Sequence, residues 1–439
     1  MARDIRSSQP SEAIAETILP NGIRVLTERI SHVRTVAIGI WVGTGSRYEP
    51  TEQHGISHFL EHLFFKGTET RSALEIAQAV DDIGGQMNAF TDREQTVFYV
   101  KVLATHLDRA LEIYADMLLN STLADEFIER ERQVIAEEIK SYEDSPDELV
   151  QDLFAQTVWN GHPLGRPVIG TLATVTKLTR DDFRTYIQRH YRPDNVIVAA
   201  AGDLQHDQVC ALITRYFGGW AGRGSPVHQA APHSQADVAT RLKETEQVHL
   251  CLGTRGLAYA DERRYTLSVL DHLLGGGMSS RLFQEIREKR GLVYSIASYA
   301  VAYRDGGLFV IYAGMSPQAG AEVIRLTLAE VEKMKLHPVD ETELRRAKES
   351  LKGGLMLGLE STGSRMSMLA RSQIYHGRQV TLDELIAKVD AVTATDVQEM
   401  AADLFAPGRL SMAAIGPFRT DGQLTTAMRG AFERVEAKA

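Results

Sequence analysis

The sequence predicts an α+β protein made of two homologous α/β domains, each a mostly antiparallel sheet with helices packed on one face. Two observations lead to this prediction: strand-type and helix-type patterns alternate along the chain, and the second half repeats the first. The 439 residues also exceed one compact core, since domains usually hold about 100–200 residues. An apolar content of 44% with 24% charged residues is typical of globular proteins.

The first elements follow from local patterns. Asn21 and Gly22 within ILPNGIRVLTE predict a hairpin turn. TVAIGIWVG has the composition of a buried strand, and ALEIAQAVDDIGG predicts a helix that ends at Gly84. The β-rich QTVFYVKVL, the amphipathic THLDRALEIYADMLLN and the charged DEFIERERQVIAEEIKSYEDS then predict a strand followed by two helices.

An internal repeat defines the domains. Residues 178–204 match residues 392–418 at a constant offset of 214, and each copy predicts a capped helix, a proline turn and a buried strand. We therefore expect a first domain at 1–217 and a homologous second domain at 238–439. The segment 218–237 between them is rich in Gly, Pro, Ser and Ala and is expected to be a linker.

Charge and cysteine content exclude several classes of protein. A net charge of −10 disfavours nucleic acid or an anionic membrane as the main partner, and no apolar run approaches the ~18 residues of a spanning helix. Cys210 and Cys251 provide no disulfide framework and fit a reducing compartment. The first residues, MARDIRSSQPSEAIAE, lack the apolar region of a secretory signal. A cytoplasmic protein is expected.

The segment HGISHFLEHLFFKGT carries a candidate metal motif. On a helix, positions i, i+3 and i+4 share a face, so His58, Glu61 and His62 project together. Neutral imidazoles suit zinc, and the glutamate between them can act on a metal-bound water. The order H-x-x-E-H is that of inverzincins. The motif alone leaves open the alternative of two surface histidines on an amphipathic helix.

A third ligand must come from another element, because catalytic zinc usually has three protein ligands and one open position. In ERERQVIAEE, Glu131 and Glu138 are seven residues apart and share a helix face, whereas Glu137 points about 100° away. Glu138 is the better ligand candidate, and Glu131 could orient a histidine or the water. The alternative is that these glutamates are simply solvated, as most are.

The repeat provides an internal comparison for these positions. If the residues were only structural, both halves should need them equally. The second half instead keeps one histidine and loses most of the other metal-binding side chains. The paired positions are His58 with Ser268, Glu61 with Asp271, His62 with His272, Glu131 with Arg346 and Glu138 with Gly353. Their presence in one half only indicates chemistry in the first domain.

Several motifs together resemble one known family. GSRYE, HFLEHLFFKGT, NAFTDREQTVFY, ERERQVIAEE and LFQEIREKRGLVYSI are similar to segments of the pitrilysin/insulysin superfamily of zinc metallopeptidases. The closest likeness is to the branch with the mitochondrial processing peptidase β subunit and its bacterial relatives. The resemblance implies one zinc ion per chain held by His58, His62 and Glu138. It also implies Glu61 as general base and Glu131 as an accessory glutamate.

The resemblance further implies substrate-binding positions. Family members bind the substrate backbone along an exposed edge strand, by β-augmentation, and the matching residues here are Asn88, Ala89, Phe90 and Thr91. Glu148 and Asp152, one helical turn apart, match carboxylates that receive a substrate arginine. An ordinary solvated helix face is the alternative for that pair.

Two residues of the second half match groups that reach the zinc site from the opposite half of the enzyme. These are Arg287 and Tyr294, which could bind a peptide carbonyl and donate to the developing oxyanion. Without the resemblance, Arg287 would be taken as a surface residue and Tyr294 as a core aromatic of a strand.

The resemblance therefore implies a zinc metalloendopeptidase that cleaves peptides or unfolded segments inside a closed chamber, with a preference for sites near basic residues. Family members with four such domains enclose their substrate, and this chain has two, so a homodimer is expected. One alternative is a non-catalytic scaffold or core subunit of the same fold. Another is the catalytic half of a heterodimeric peptidase.

Overall fold

A computed structural model describes residues 14–224, 230–234, 236–417 and 430. The predicted linker 218–237 thus falls partly outside the described residues. Two compact units are present. Unit 1 comprises the described parts of Met1–Ala136, Val168–His228 and Gly358–Gln379, and unit 2 those of Glu137–Pro167, Gln229–Leu357 and Val380–Ala439.

Eleven strands are found in the described part of the chain. They are β1 Ile14–Ile18, β2 Arg24–Arg29, β3 Thr35–Val42, β4 Gln86–Thr91, β5 Thr96–Leu103, β6 Val196–Gly202, β7 Val238–Leu242, β8 Val248–Gly256, β9 Val293–Ala302, β10 Gly307–Met315 and β11 Ser411–Gly416. They form a six-stranded sheet in unit 1, ordered β1-β2-β6-β3-β5-β4, and a five-stranded sheet in unit 2, ordered β7-β11-β8-β10-β9.

The two sheets repeat one topology. If β1 is set aside, the order β2-β6-β3-β5-β4 matches β7-β11-β8-β10-β9 strand for strand. Each sheet has a single parallel pair at the same place, β2 with β6 and β7 with β11, while the other neighbours are antiparallel. The predicted fold class, with mostly antiparallel sheets related by duplication, is confirmed.

Fourteen α-helices lie in the described residues. They are α1 Ile56–Phe64, α2 Ala73–Asp81, α3 Leu107–Leu119, α4 Asp125–Glu143, α5 Pro146–Val158, α6 Leu172–Val175, α7 Arg180–His190, α8 His206–Phe217, α9 Arg264–Leu274, α10 Gly320–Leu336, α11 Glu341–Gly358, α12 Thr362–His376, α13 Leu382–Ala391 and α14 Ala394–Leu404. A short π-helix spans Phe283–Glu288. None of the described helices is both long and apolar enough to cross a bilayer.

The unit 1 sheet is covered on both faces. Phe98 of β5 contacts Phe64 of α1, with ring centroids 5.4 Å apart. The next residue along β5, Val97, points to the other face because side chains alternate in a strand. There it joins a buried cluster with Met366 and Leu369 of α12. The opposite face is therefore closed by a helix from late in the chain, and the prediction that helices pack on one face only is wrong for this sheet.

The unit 2 sheet, in turn, is covered by a helix from the first half of the sequence. Val150 and Phe154 of α5 are buried against Cys251, Val310 and Ile415 of its sheet. The compact units therefore do not coincide with the contiguous ranges 1–217 and 238–439, because α5 and α12 each bury their apolar face on the sheet built by the other half of the sequence. The division between units passes through α4, which is one unbroken helix.

Candidate metal centre

Helix α1 presents the H-x-x-E-H motif on one side and a core face on the other. Phe59, Leu60 and Leu63 are fully or almost fully buried, and this apolar spacing fixes the rotation of the helix. His58, Glu61 and His62 consequently share the remaining, half-buried face. The predicted common projection of the motif follows from how α1 packs.

The structure brings three metal-binding side chains together. His58 and His62 of α1 and Glu138 of α4 each offer a ligand atom, and these atoms lie within 4.8 Å of one another. The two imidazole rings are close, with centroids 4.8 Å apart. Two histidines and one carboxylate are a donor set that catalytic zinc uses, with a fourth position left for water or substrate. The residues present therefore fit zinc.

The environment favours the neutral form of His58. Burial, assisted by the nearby His62, lowers the pKa of His58 from 6.5 to about 4. At neutral pH this imidazole is therefore uncharged, which is the form that binds a metal.

Glu131 lies behind the cluster, on the same face of α4 as Glu138. Its Oε2 is 3.2 Å from Nδ1 of His62, and its Oε1 is 2.9 Å from Nζ of Lys66. The Glu131 side chain is almost fully buried. A carboxylate bound to one ring nitrogen orients a histidine and raises its basicity as a ligand. Lys66 balances the charge of the buried carboxylate.

Glu61 has a partner on the neighbouring sheet. Oγ1 of Thr91, the last residue of β4, donates a hydrogen bond of 2.7 Å to Oε2 of Glu61. The general-base candidate is thus tied to a strand as well as carried by α1.

Strand β4 forms one edge of the six-stranded sheet, where β5 is its sheet neighbour. Along it, Asn88 and Phe90 are exposed, whereas Ala89 and Thr91 are less so. The four predicted substrate-binding residues therefore divide into two faces. Thr91 belongs to the face that meets α1.

Glu148 and Asp152 both lie on α5, in unit 2, but their environments differ. Glu148 is exposed, whereas Asp152 is only 8% exposed and accepts a 2.6 Å hydrogen bond from the Tyr142 hydroxyl. Both interpretations of this pair from the sequence, a site for a substrate arginine or a solvated helix face, treat the two carboxylates alike. Only Glu148 is open to solvent.

Arg287 and Tyr294 are surface residues of unit 2. Arg287 is exposed, and its guanidinium lies 4.8 Å from the centre of the Phe283 ring. Tyr294, on β9, is 76% exposed. It is therefore not the core aromatic that strand composition alone would suggest.

Three contacts at these sites were not anticipated from the sequence. Lys66 follows His62 by four residues, a helical spacing that could have suggested a common side, although α1 ends at Phe64 and Lys66 lies just beyond it. Tyr142 precedes Asp152 by ten residues across a turn, and no periodicity connects them. The hydrogen bond from Thr91 to Glu61 joins residues 30 apart in sequence and likewise has no local signal.

Comparisons with known proteins identify a family for this chain. Residues 24–172 match the family described as Insulinase (Peptidase family M16), and residues 177–351 match the Peptidase M16 inactive domain. The uncharacterized zinc protease YmxG of Bacillus subtilis is 45% identical over 388 residues, covering 88% of this chain and 94% of the relative. The uncharacterized zinc protease SCO5738 of Streptomyces coelicolor is 42% identical over 414 residues, covering 92% and 90%.

Solved structures show the same architecture. A protease from Helicobacter pylori superposes with a TM-score of 0.86 at 25% identity, covering 92% of this chain and all of that chain. A peptidase M16 inactive domain from Pseudomonas fluorescens gives a TM-score of 0.85 at 18% identity, covering 92% and 98%, and supports the fold alone.

A duplicated α+β fold with two histidines and a glutamate gathered on one helix pair defines a zinc metallopeptidase. The chain belongs to peptidase family M16. The part that matches the inactive domain includes Ser268, which stands where the first half has His58.

Proposed function

We propose that this protein is a zinc-dependent endopeptidase that cleaves peptides or unfolded segments. The observation that supports it best is the gathering of His58, His62 and Glu138 within 4.8 Å, with Glu61 on the same face of α1. Zinc held by these three residues supplies a Lewis acid that polarises a water molecule and a peptide carbonyl.

The chain's own residues would move the proton. Glu61 accepts a proton from the attacking water and delivers it to the leaving amine. Glu131 keeps the imidazole of His62 oriented through its 3.2 Å contact. The low pKa of His58 keeps that side chain neutral over the working pH range.

The substrate would bind as an extra strand on β4. An edge strand offers backbone donors and acceptors to an extended peptide, and side chains on alternate positions then give specificity. The exposed Asn88 and Phe90 are suited to such contacts. Most backbone groups of a folded protein are already paired within its own structure, so unfolded segments are the expected substrates.

A preference for basic residues would come from the acidic side chains. Glu148 is exposed on α5 and can accept an arginine, whereas Asp152 is engaged by Tyr142. Glu148 would therefore carry most of the selectivity.

A closed chamber would be formed by a homodimer. The exposure of Arg287 and Tyr294 supports a role for them at the zinc site of a second copy, where they would bind a carbonyl and stabilise an oxyanion. Light scattering at micromolar concentration should give the mass of a dimer. A fully active monomer would exclude this assembly. A cytoplasmic location also stays a prediction.

The direct test uses protein purified alone, assayed for zinc content and for cleavage of a quenched fluorescent peptide with an internal arginine. We expect Glu61→Gln to retain zinc and stop cleavage, and His58→Ala to lose both. The matched control is Ser268→Ala, at the position equivalent to His58, which should change neither. Turnover by Glu61→Gln at the wild-type rate would refute the role of Glu61 as base.

A further inference from the structure

Two segments of the sequence, GSRYE at 45–49 and the turn DREQ at 92–95 that follows Thr91, have no part in the mechanism above. We infer that they form a brace that fixes Glu61 relative to α1, with Thr91 as a positioning residue for the general base. This inference rests on the proposed function.

Thr91 is the direct contact of the brace with Glu61. Its hydroxyl donates to Oε2 of Glu61 over 2.7 Å, and a hydrogen bond to a carboxylate is among the stronger ones in proteins. Threonine is branched at Cβ, so few rotamers are available to it in a strand. The hydroxyl is therefore held in one direction and confines the Glu61 carboxylate.

The turn that follows Thr91 is itself fixed. Oδ1 of Asp92 accepts hydrogen bonds of 2.6 Å from the backbone amides of both Glu94 and Gln95. Glu94 is paired with Arg47 through a 2.7 Å contact, and both side chains are 4% exposed or less. Tyr375 of α12 donates to Glu94 over 3.1 Å. A buried, multiply bonded pair of this kind resists displacement.

The same segment also holds the start of α1. Glu49, two residues after Arg47, is fully buried and accepts hydrogen bonds of 2.8 Å from the backbone amides of Gly55 and Ser57. A carboxylate at a helix N-terminus satisfies its free amides and interacts favourably with the helix dipole. Residues 45–49 thus bind both the turn beyond Thr91 and the helix that carries Glu61.

Unit 2 contains a counterpart of this link, made from a different strand position, since Ser298 matches Asn88 rather than Thr91 in the repeat. Ser298 of β9 donates over 2.5 Å to Oδ1 of Asp271, which stands at the position of Glu61. A hydroxyl thus ties the helix to the edge strand in both units, and part of the contribution of Thr91 must be structural. Among the described residues, the group of potential metal ligands includes two histidines of the helix that carries Glu61 and none of the helix that carries Asp271, so the test must separate stability from turnover.

The experiment compares Thr91→Val and Thr91→Ser with Ser298→Ala, which removes the hydroxyl of the counterpart link. We expect Thr91→Val to lower kcat about 10–100-fold with KM and zinc content unchanged, since a misplaced catalytic group costs up to about a hundredfold. Thr91→Ser should restore kcat to within about threefold. Ser298→Ala should lower Tm without changing kcat.

Either of two outcomes for Thr91→Val would overturn the inference. A raised KM with unchanged kcat would make Thr91 a substrate contact of the edge strand. A lowered Tm with unchanged kcat would make the hydrogen bond structural only.

A measurement of thermal stability, which does not depend on catalysis, separates this inference from the proposed function. In metal-free protein, the Tm losses of Thr91→Val and Glu61→Gln should be smaller in the double variant than the two single losses added together. Additive losses would overturn the link between the two side chains. If the wild type binds zinc but cleaves no peptide, the proposed function fails, and this cycle still tests the positioning of Glu61.

Discussion

Asp271 of unit 2 gives a quantitative prediction about the second half of the sequence, in which most of the metal-binding side chains of the first half are replaced. It occupies the position of Glu61 on α9, and burial raises its pKa from 3.8 to about 6, even though Ser298 donates a hydrogen bond to it. We predict that Asp271→Asn, which keeps the shape and can still accept from Ser298, stabilises the protein near neutral pH.

The size of the effect follows from the pKa difference. The folded pKa lies about 2 above the ordinary value, and one pKa step is about 1.4 kcal/mol. Because the folded state holds its proton more tightly, stability is fully present below about pH 3.8 and is lost as the pH rises through 6. Relative to pH values below 3.8, Asp271 should therefore reduce the stability by about 3 kcal/mol near pH 8 and by about half of that near pH 5.

Urea unfolding of metal-free wild type and Asp271→Asn at these two pH values measures this directly. The stabilisation by the variant should be about twofold larger at the higher pH. The matched control is Asp261→Asn, since a hydrogen bond from Arg263 lowers the pKa of Asp261 and its replacement should destabilise. A stabilisation by Asp271→Asn that is equal at both pH values would refute the reasoning, because titration would not be its source.

Two further predictions concern other buried groups. Glu131→Gln should weaken zinc binding about 10–100-fold, because it loses the carboxylate that orients His62; competition with a chelating dye measures this, and the exposed Glu137→Gln should change nothing. Burial lowers the pKa of His190, which stacks on Tyr186, to about 4. Stability due to this neutral imidazole should be full above about pH 6.5 and fall toward pH 4, and His190→Gln should flatten that fall in urea unfolding.

The metal-binding group could be predicted because helical geometry is local. The spacing of His58 and His62 places both on one face of a single helix, and the seven-residue spacing from Glu131 to Glu138 does the same on another. The apolar residues between them fix which face turns inward. Given the repeat, the missing ligands in the second half could also be read directly.

The exchange of helices could not be predicted in the same way. The apolar faces of α5 and α12 show that each helix must pack on something, but amphipathicity does not indicate which sheet it meets. Both sheets present similar small and branched residues on their outer faces, such as Ala201 in one and Ala413 in the other. The choice depends on the whole chain path. Asp152 shows the same limit. Its spacing from Glu148 places both carboxylates on one helix face, but it does not indicate that the Tyr142 hydroxyl bonds to Asp152.

The two units together show which features the fold requires and which the chemistry requires. The same strand order occurs in both, apart from the additional β1 of unit 1, so packing alone can account for it. The third ligand position differs between the two halves of the sequence: where the first half has Glu138, the second half has Gly353, and a Cβ added there would meet no atom within 4 Å. No steric demand excludes a side chain at that position, and none calls for a carboxylate. Because the corresponding helix α11 forms with Gly353 at this position, Glu138 is best explained by the ion that it would share with His58 and His62.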